Sequence, residues 1–198
     1  MLGTYQIVSN QAEMRTTPAS PEELINLLKY RHQVLLSARV DKKPGLFKDK
    51  DNFAGQTRFV GYELVRGTFI KGFDFYQTLA HPFAKAAYMM FLISEVHPFL
   101  DGNGRIARVM MNAELVKADQ SKIIIPTVYR DDYMGALRKL TRQRDPTAYV
   151  RMLTRAHAFS ATVVGESIQA MQSILEKSQA FLEPTEGQLT TKSTKSNP

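Results

Sequence analysis

The stretch HPFLDGNGRIAR, from His97 to Arg108, sets an imidazole, a carboxylate, two glycines and two arginines side by side. The run before it, FAKAAYMMFLISEV, is apolar on nearly every face, and the run that starts within it, IARVMMNAELVKA, has an apolar stripe at helical spacing. Such patterns predict two buried helices. The quoted stretch is therefore expected to form the turn between them, at the centre of a mostly α-helical bundle.

This turn is predicted to open the second helix, where backbone N–H groups have no acceptor within the helix. Gly102 and Gly104 allow the tight backbone that turns successive N–H groups toward one point, which makes a nest for an anion. Arg105 and Arg108 lie three apart on the first turn, so both guanidinium groups reach an anion held there. The simplest such anion is a polyphosphate.

Two further groups in the stretch indicate what happens to that polyphosphate. Asp101 supplies one carboxylate, and magnesium takes one or two protein carboxylates and completes its shell with phosphate oxygens and water. An imidazole titrates near neutrality, so His97 is suited to take a proton from an attacking hydroxyl. Together these groups predict transfer of a phosphorus-centred group from a magnesium-bound nucleotide to an acceptor.

Composition argues against several other classes of protein. The 198 residues include no cysteine, which excludes disulfides and thiolate chemistry, and the four histidines are scattered, which argues against structural zinc. Because neither a membrane-spanning run nor a signal peptide is found, a cytoplasmic location without membrane contact is expected. The net charge is +7, but the basic residues are spread along the chain, which argues against a nucleic-acid partner.

Caps and periodicity predict the remaining elements. A helix is expected over 20–39, with Ser20 as its cap and Pro21 in its first turn. A short hairpin is expected within 57–72, where β-branched and aromatic residues are interrupted by Gly61 and Gly67 as turn candidates, and the helical pattern resumes at 73. Three more helices are expected over 131–142, 145–164 and 166–182.

The quoted stretch also meets every fixed position of the Fic-domain signature: His, any residue, Phe, any residue, Asp or Glu, Gly, Asn, Gly, Arg, any two residues, Arg. The chain resembles this family over about 24–156, with Pro44, Gly45 and the expected hairpin over 58–70 resembling its loop and substrate-docking flap. The resemblance implies a Fic-fold helical bundle with a short β-hairpin flap. It divides the chain into an N-terminal segment (1–20), a Fic domain (21–182) and a polar tail predicted to be disordered (183–198).

The resemblance implies a protein adenylyltransferase, which moves AMP from Mg-ATP to a Ser, Thr or Tyr hydroxyl of a target protein and releases pyrophosphate. It makes His97 the base and Asp101 the magnesium ligand. The implied ATP contacts come from Gly102, Asn103, Gly104, Arg105, Arg108 and, beside the adenine, Tyr133. Doc-type toxins, which transfer phosphate, have larger residues in place of the two glycines, so their presence here favours AMP transfer.

Partners and regulation follow from the same resemblance. A target protein is expected to dock on the flap near residues 58–70 by strand addition. Many family members carry an inhibitory helix whose glutamate pairs with the second motif arginine; Glu13 and Glu166 match that pattern only in part. Three alternatives therefore stay open: inhibition by a partner protein, as in a toxin–antitoxin pair, inhibition by a missing N-terminal segment, or no inhibition. A homo-oligomer is also open. The alternatives are an enzyme with another nucleotide donor and a non-catalytic nucleotide-binding regulator.

Overall fold

The computed structural model of the chain describes residues 2–55 and 57–190. Its helices are α1 (Leu2–Ser9), α2 (Gln11–Met14), α3 (Pro21–Leu35), α4 (Val65–Thr78), α5 (Pro82–Val96), α6 (Asn103–Lys117), α7 (Arg130–Gln143), α8 (Thr147–Thr162) and α9 (Ile168–Lys177). Strands β1 (Phe53–Ala54) and β2 (Thr57–Arg58) pair antiparallel, with Phe53 opposite Arg58. The mostly α-helical fold with a short hairpin is confirmed. No helix in the described part of the chain is long and apolar enough to cross a membrane.

The chain divides into two compact units, Met1–Gln120 and Ser121–Pro198. In the first unit α5 and α6 pack along each other, and their facing side chains are almost fully buried. These buried side chains are Met89, Met90 and Ile93 on α5 and Ile106, Met110 and Met111 on α6. The two central helices predicted from the apolar runs are thus present, and the motif is the turn that joins them.

The first helix of the predicted bundle, α3, begins where its cap predicts. The Ser20 hydroxyl accepts from the Glu23 N–H at 3.1 Å, and the Glu23 carboxylate accepts from the Ala19 N–H at 2.9 Å. The first bond satisfies the Glu23 N–H, which the start of the helix leaves without a partner, and the second fixes the residue before the cap. Helices α1 and α2 pack on α3 and α6 through a buried cluster of Ile7, Met14, Leu35, Leu36, Val109 and Ala113.

The hairpin expected within 57–72 is wrong for most of that range, because α4 begins at Val65. The observed hairpin lies earlier, over 53–58. Val65, Phe69, Phe73 and Tyr76 form a buried stripe at helical spacing, and burying that stripe outweighs the strand preference of the β-branched residues. Gly67 lies in open space within the helix and is no turn.

The second unit contains α7, α8 and α9, with α7 packed on α8. Just before α8, the Asp145 carboxylate accepts from the Thr147 N–H at 2.9 Å. Helix α9 is shorter than expected, since Ser167 caps its start and it ends at Lys177. The tail predicted to be disordered is described as far as residue 190, with a turn at 184–186, and 191–198 lie outside the described residues.

Candidate active site

The motif turn lies at a cavity of about 320 Å³ in the first unit. Helix α5 ends at Val96 and is followed by His97, whose backbone is left-handed at φ 49°; α6 begins after Gly102, which is left-handed at φ 79°. The structure brings seven of the eight predicted site residues to this cavity. Its lining consists of His97, Asp101, Gly102, Asn103, Gly104, Arg105 and Arg108, together with Asn52, Phe53 and Leu100.

The His97 ring is held in one orientation by two contacts. Its Nδ1 lies 3.2 Å from the Ser94 carbonyl oxygen, and since a carbonyl only accepts, Nδ1 carries the proton. The ring of Phe59 stacks on it, with centroids 3.8 Å apart and planes 10° apart. Burial lowers the pKa of His97, so the ring is neutral at neutral pH. A neutral ring with hydrogen on Nδ1 leaves the Nε2 lone pair free to accept a proton.

The motif loop is braced from within by Asn103, which is 3% exposed. Its amide oxygen accepts from the Phe99 N–H at 2.9 Å and its amide nitrogen donates to the Phe99 carbonyl at 2.8 Å. Phe99 is fully buried and anchors the loop in the core. With its side chain engaged in this way, Asn103 has only its backbone N–H to offer to an anion in the cavity.

A second brace comes from the segment before the hairpin and was not predicted from the sequence. The Asn52 amide nitrogen donates to the His97 and Phe99 carbonyls, both at 3.1 Å. The buried Lys48 ammonium donates to Asn52 at 2.7 Å and to the Val96 carbonyl at 3.2 Å, which places a cation at the C-terminal end of α5. The contacts of Asn52 and Lys48 with the Val96, His97 and Phe99 carbonyls span 45 to 48 residues along the chain, and no local pattern signals them.

Asp101 and the first turn of α6 make up the charged side of the cavity. The Asp101 carboxylate lies 3.3 Å from the Arg105 guanidinium, and both side chains are 40% exposed. The same carboxylate accepts from the Gly102 N–H. Arg108 is half-buried one turn along and Gly104 is exposed. The N–H groups that open α6 have no acceptor within the helix, so this end of the cavity suits an anion.

The residues present fit magnesium that arrives with a nucleotide. Asp101 is the one carboxylate among the described lining residues, and no group of three or more metal-ligating side chains is found in 2–55 and 57–190. A protein site with three carboxylate or imidazole ligands is therefore not built here. One accessible carboxylate beside a phosphate cradle is the donor set that magnesium uses when phosphates and water fill the rest of its shell.

Tyr133, the eighth predicted residue, lies on α7 in the second unit and is half-buried there. Glu166 also lies in that unit, just before α9. The roles implied for them, adenine contact and inhibition, stay predictions.

Glu13 is engaged by Arg31 of α3, whose side chain is fully buried. The Arg31 guanidinium donates to the Glu13 carboxylate at 2.7 Å and to the Glu13 and Thr16 carbonyls at 2.6 and 2.8 Å. In the inhibitory pattern the glutamate pairs with the second motif arginine, which here is Arg108. The structure instead uses the Glu13 carboxylate to fasten the N-terminal helices to α3.

Comparison with known proteins gives consistent results. A model of the Fic/DOC family matches residues 18–115. A Fido domain-containing protein of Dictyostelium discoideum is 31% identical over 103 residues, which cover 50% of this chain and 72% of that protein. The protein adenylyltransferase Fic of Drosophila persimilis is 40% identical over 73 residues, or 37% of this chain and 14% of that enzyme. The match thus spans a small part of the Drosophila protein.

The fold has a solved counterpart in Fic-1 of C. elegans, with a TM-score of 0.63 and 19% identity. That similarity covers 90% of this chain and 51% of the solved chain, and at this identity it supports the fold alone. The relative matched over most of its length, the family model and the complete motif around one cavity agree. The chain belongs to the Fic/DOC family.

Proposed function

We propose that the protein is an adenylyltransferase that moves AMP from Mg-ATP to a hydroxyl group of a target protein. The observation that carries the proposal is the meeting of a proton acceptor and a phosphate cradle in one cavity: His97 at the end of α5 and the N-terminus of α6 with its two arginines. The relatives named as protein adenylyltransferases support the same activity.

Each group has a role that follows from its position. The target hydroxyl oxygen attacks the α-phosphorus, its proton passes to His97 Nε2, and the bond to the β-phosphate breaks so that pyrophosphate leaves. Arg105 and Arg108, with the N–H groups that open α6, bind the phosphates and hold the α-phosphorus toward the acceptor. Asp101 would hold the magnesium, which supplies positive charge to the departing pyrophosphate.

The target protein is proposed to dock at the hairpin over 53–58. Asp51 holds this hairpin in place, since its carboxylate accepts from the Arg58 guanidinium at 2.6 Å and from the Tyr62 N–H at 3.1 Å. Phe53 lines the cavity and Phe59 stacks on His97, so a segment paired with the hairpin is carried past the base. The segment 65–70 belongs to α4 and offers no strand edge.

The test compares ATP labelled at the α-phosphate with ATP labelled at the γ-phosphate, each incubated with the protein, magnesium and a cell lysate. AMP transfer puts only the α-label on protein, and His97→Ala abolishes it. The matched control is His81→Ser, because His81 is exposed and only caps α5, accepting from the Phe83 N–H at 3.2 Å.

Other outcomes separate the alternatives. Transfer of the γ-label that requires the added protein, above the label that kinases of the lysate transfer without it, contradicts the proposal and indicates phosphate transfer. Label from another nucleoside triphosphate, with none from ATP, indicates a different donor. No transfer by a protein that binds Mg-ATP indicates a regulator.

A further inference from the structure

Resting on the proposed function, we infer that His32 of α3 is a positioning residue for the motif loop. It holds the Asp101 carbonyl, and through it sets the direction of the Asp101 side chain and of the N-terminus of α6 toward bound Mg-ATP. His32 lies outside the motif, 69 residues before Asp101.

Both nitrogens of the His32 ring are used, and their roles are fixed. The Gly45 N–H lies 3.0 Å from Nδ1 in a buried hydrogen bond, and because a backbone N–H only donates, Nδ1 is the acceptor. Nε2 therefore carries the proton and donates to the Asp101 carbonyl at 3.0 Å. The His32 side chain is fully buried, so bulk water does not compete for these two hydrogen bonds.

The His32 ring also lies against Phe99 and close to Gly102, two residues that shape the motif loop. It stacks on Phe99, with centroids 3.6 Å apart and planes 4° apart, and Phe99 is the residue whose backbone Asn103 grips. A Cβ built on Gly102 would lie 3.4 Å from His32 Nε2, so the imidazole lies directly beneath the left-handed residue that opens α6.

An apolar residue of similar size would fill the space but would not replace this function. It would leave the Asp101 carbonyl and the Gly45 N–H without partners in a buried place, where unsatisfied polar groups are unfavourable. The two hydrogen bonds link α3, the loop at Gly45 and the motif, which is more than core packing requires.

The test uses two substitutions of His32, each of which keeps one of the two hydrogen bonds and removes the other. His32→Gln places an amide donor near the position of Nε2 and keeps the bond to Asp101. His32→Asn places an amide oxygen near the position of Nδ1 and keeps the bond to Gly45, but it is too short to reach Asp101. Both remove the ring from Phe99, so each is the packing control for the other.

The readout is the Kd for Mg-ATP by calorimetry, with the rate of AMP transfer measured beside it. Without the bond to His32 the Asp101 loop leaves its binding-competent position more often, and a bias worth one hydrogen bond corresponds to about three- to tenfold in Kd. His32→Asn is therefore expected to raise the Kd by about that factor, and His32→Gln to stay within about twofold of the unsubstituted protein. If the two variants melt at the same temperature and raise the Kd for Mg-ATP equally, the inference is overturned, because the ring then acts by packing alone.

Failure of the inference and failure of the proposed function are told apart by the same data. If the unsubstituted protein binds Mg-ATP but transfers no AMP, the proposed function fails and the Kd comparison still decides the role of His32. If neither variant folds, nitrogen NMR of the unsubstituted protein decides it. Hydrogen on Nε2 of His32 supports the inference, and hydrogen on Nδ1 overturns it.

Discussion

Alanine substitution is expected to lower stability at the first motif glycine and not at the second, although the two lie two residues apart. Gly102 is left-handed at φ 79°, a conformation that costs a residue with a Cβ about 1–2 kcal/mol. The added Cβ would also lie 3.1 Å from Leu36 Cδ1 and 3.3 Å from Leu35 Cδ2, tighter than ordinary contact. Gly102→Ala is therefore expected to lower the free energy of unfolding by about 2 kcal/mol.

Gly104 is different because it lies inside the first turn of α6 and is exposed. Its added Cβ would meet only Arg108 Nη1, at an ordinary 3.5 Å. Since alanine is favoured over glycine within a helix by about 0.5–1 kcal/mol, Gly104→Ala is expected to leave stability unchanged or raise it slightly. Its methyl group faces the phosphate cradle, so Mg-ATP binding should weaken even though the fold is intact.

Thermal unfolding of the two variants measures the difference. For a chain of 150–250 residues about 1 kcal/mol shifts the Tm by about 2–4 °C, so Gly102→Ala should melt about 4–8 °C lower and Gly104→Ala at or above the unsubstituted Tm. A Gly104→Ala variant that melts as low as Gly102→Ala, or a Gly102→Ala variant of unchanged Tm, would refute the reasoning from backbone geometry.

Three further predictions address the surroundings of the site. Because burial lowers the pKa of His97, the rate of AMP transfer should fall on the acid side with its midpoint below pH 6.5. Phe59→Ala removes the ring that stacks on His97 and admits water, so it should move that midpoint to higher pH. A shift to lower pH would contradict this. The Glu114 carboxylate accepts from the Tyr76 hydroxyl at 2.9 Å, and burial raises the pKa of Glu114. The contribution of Glu114 to the free energy of unfolding is therefore present at low pH and lost as the pH rises. Glu114→Gln should resist urea better than the unsubstituted protein at pH 8 and equally well at pH 4. Asn52→Ala releases two carbonyls of the motif loop and should lower the free energy of unfolding by about 1–3 kcal/mol in urea denaturation, with faster amide hydrogen exchange at residues 97–101.

The elements that could be predicted from the sequence are those with local signals. The start of α3 is predicted correctly from the Ser20 cap, and α5 begins at a local signal of the same kind, the His81 side chain followed by Pro82. Helix α4 was misread because Gly67 and the β-branched residues suggest a strand, whereas its buried stripe is helical. Helices α1 and α2 were not anticipated, although the Asn10 side chain accepts from the Glu13 N–H at 3.1 Å, which is a local cap.

The residues of the candidate site also fall into those with a local sequence signal and those without one. The motif residues lie within twelve positions of one another, so their meeting in one cavity follows from a single turn. Lys48, Asn52 and His32 contact that turn from other segments of the chain. Their contacts depend on how the first unit folds back on itself, and neither spacing nor periodicity encodes that information.

As the proposed base, His97 serves the chemistry and not the binding of the nucleotide. The most direct test is the single-turnover rate of AMP transfer from saturating Mg-ATP by the unsubstituted protein and by His97→Ala, with the Kd for Mg-ATP measured in both. We expect a similar Kd and, in His97→Ala, a rate lower by about 10²- to 10⁴-fold, the usual contribution of a general base. An unchanged rate in His97→Ala would contradict it.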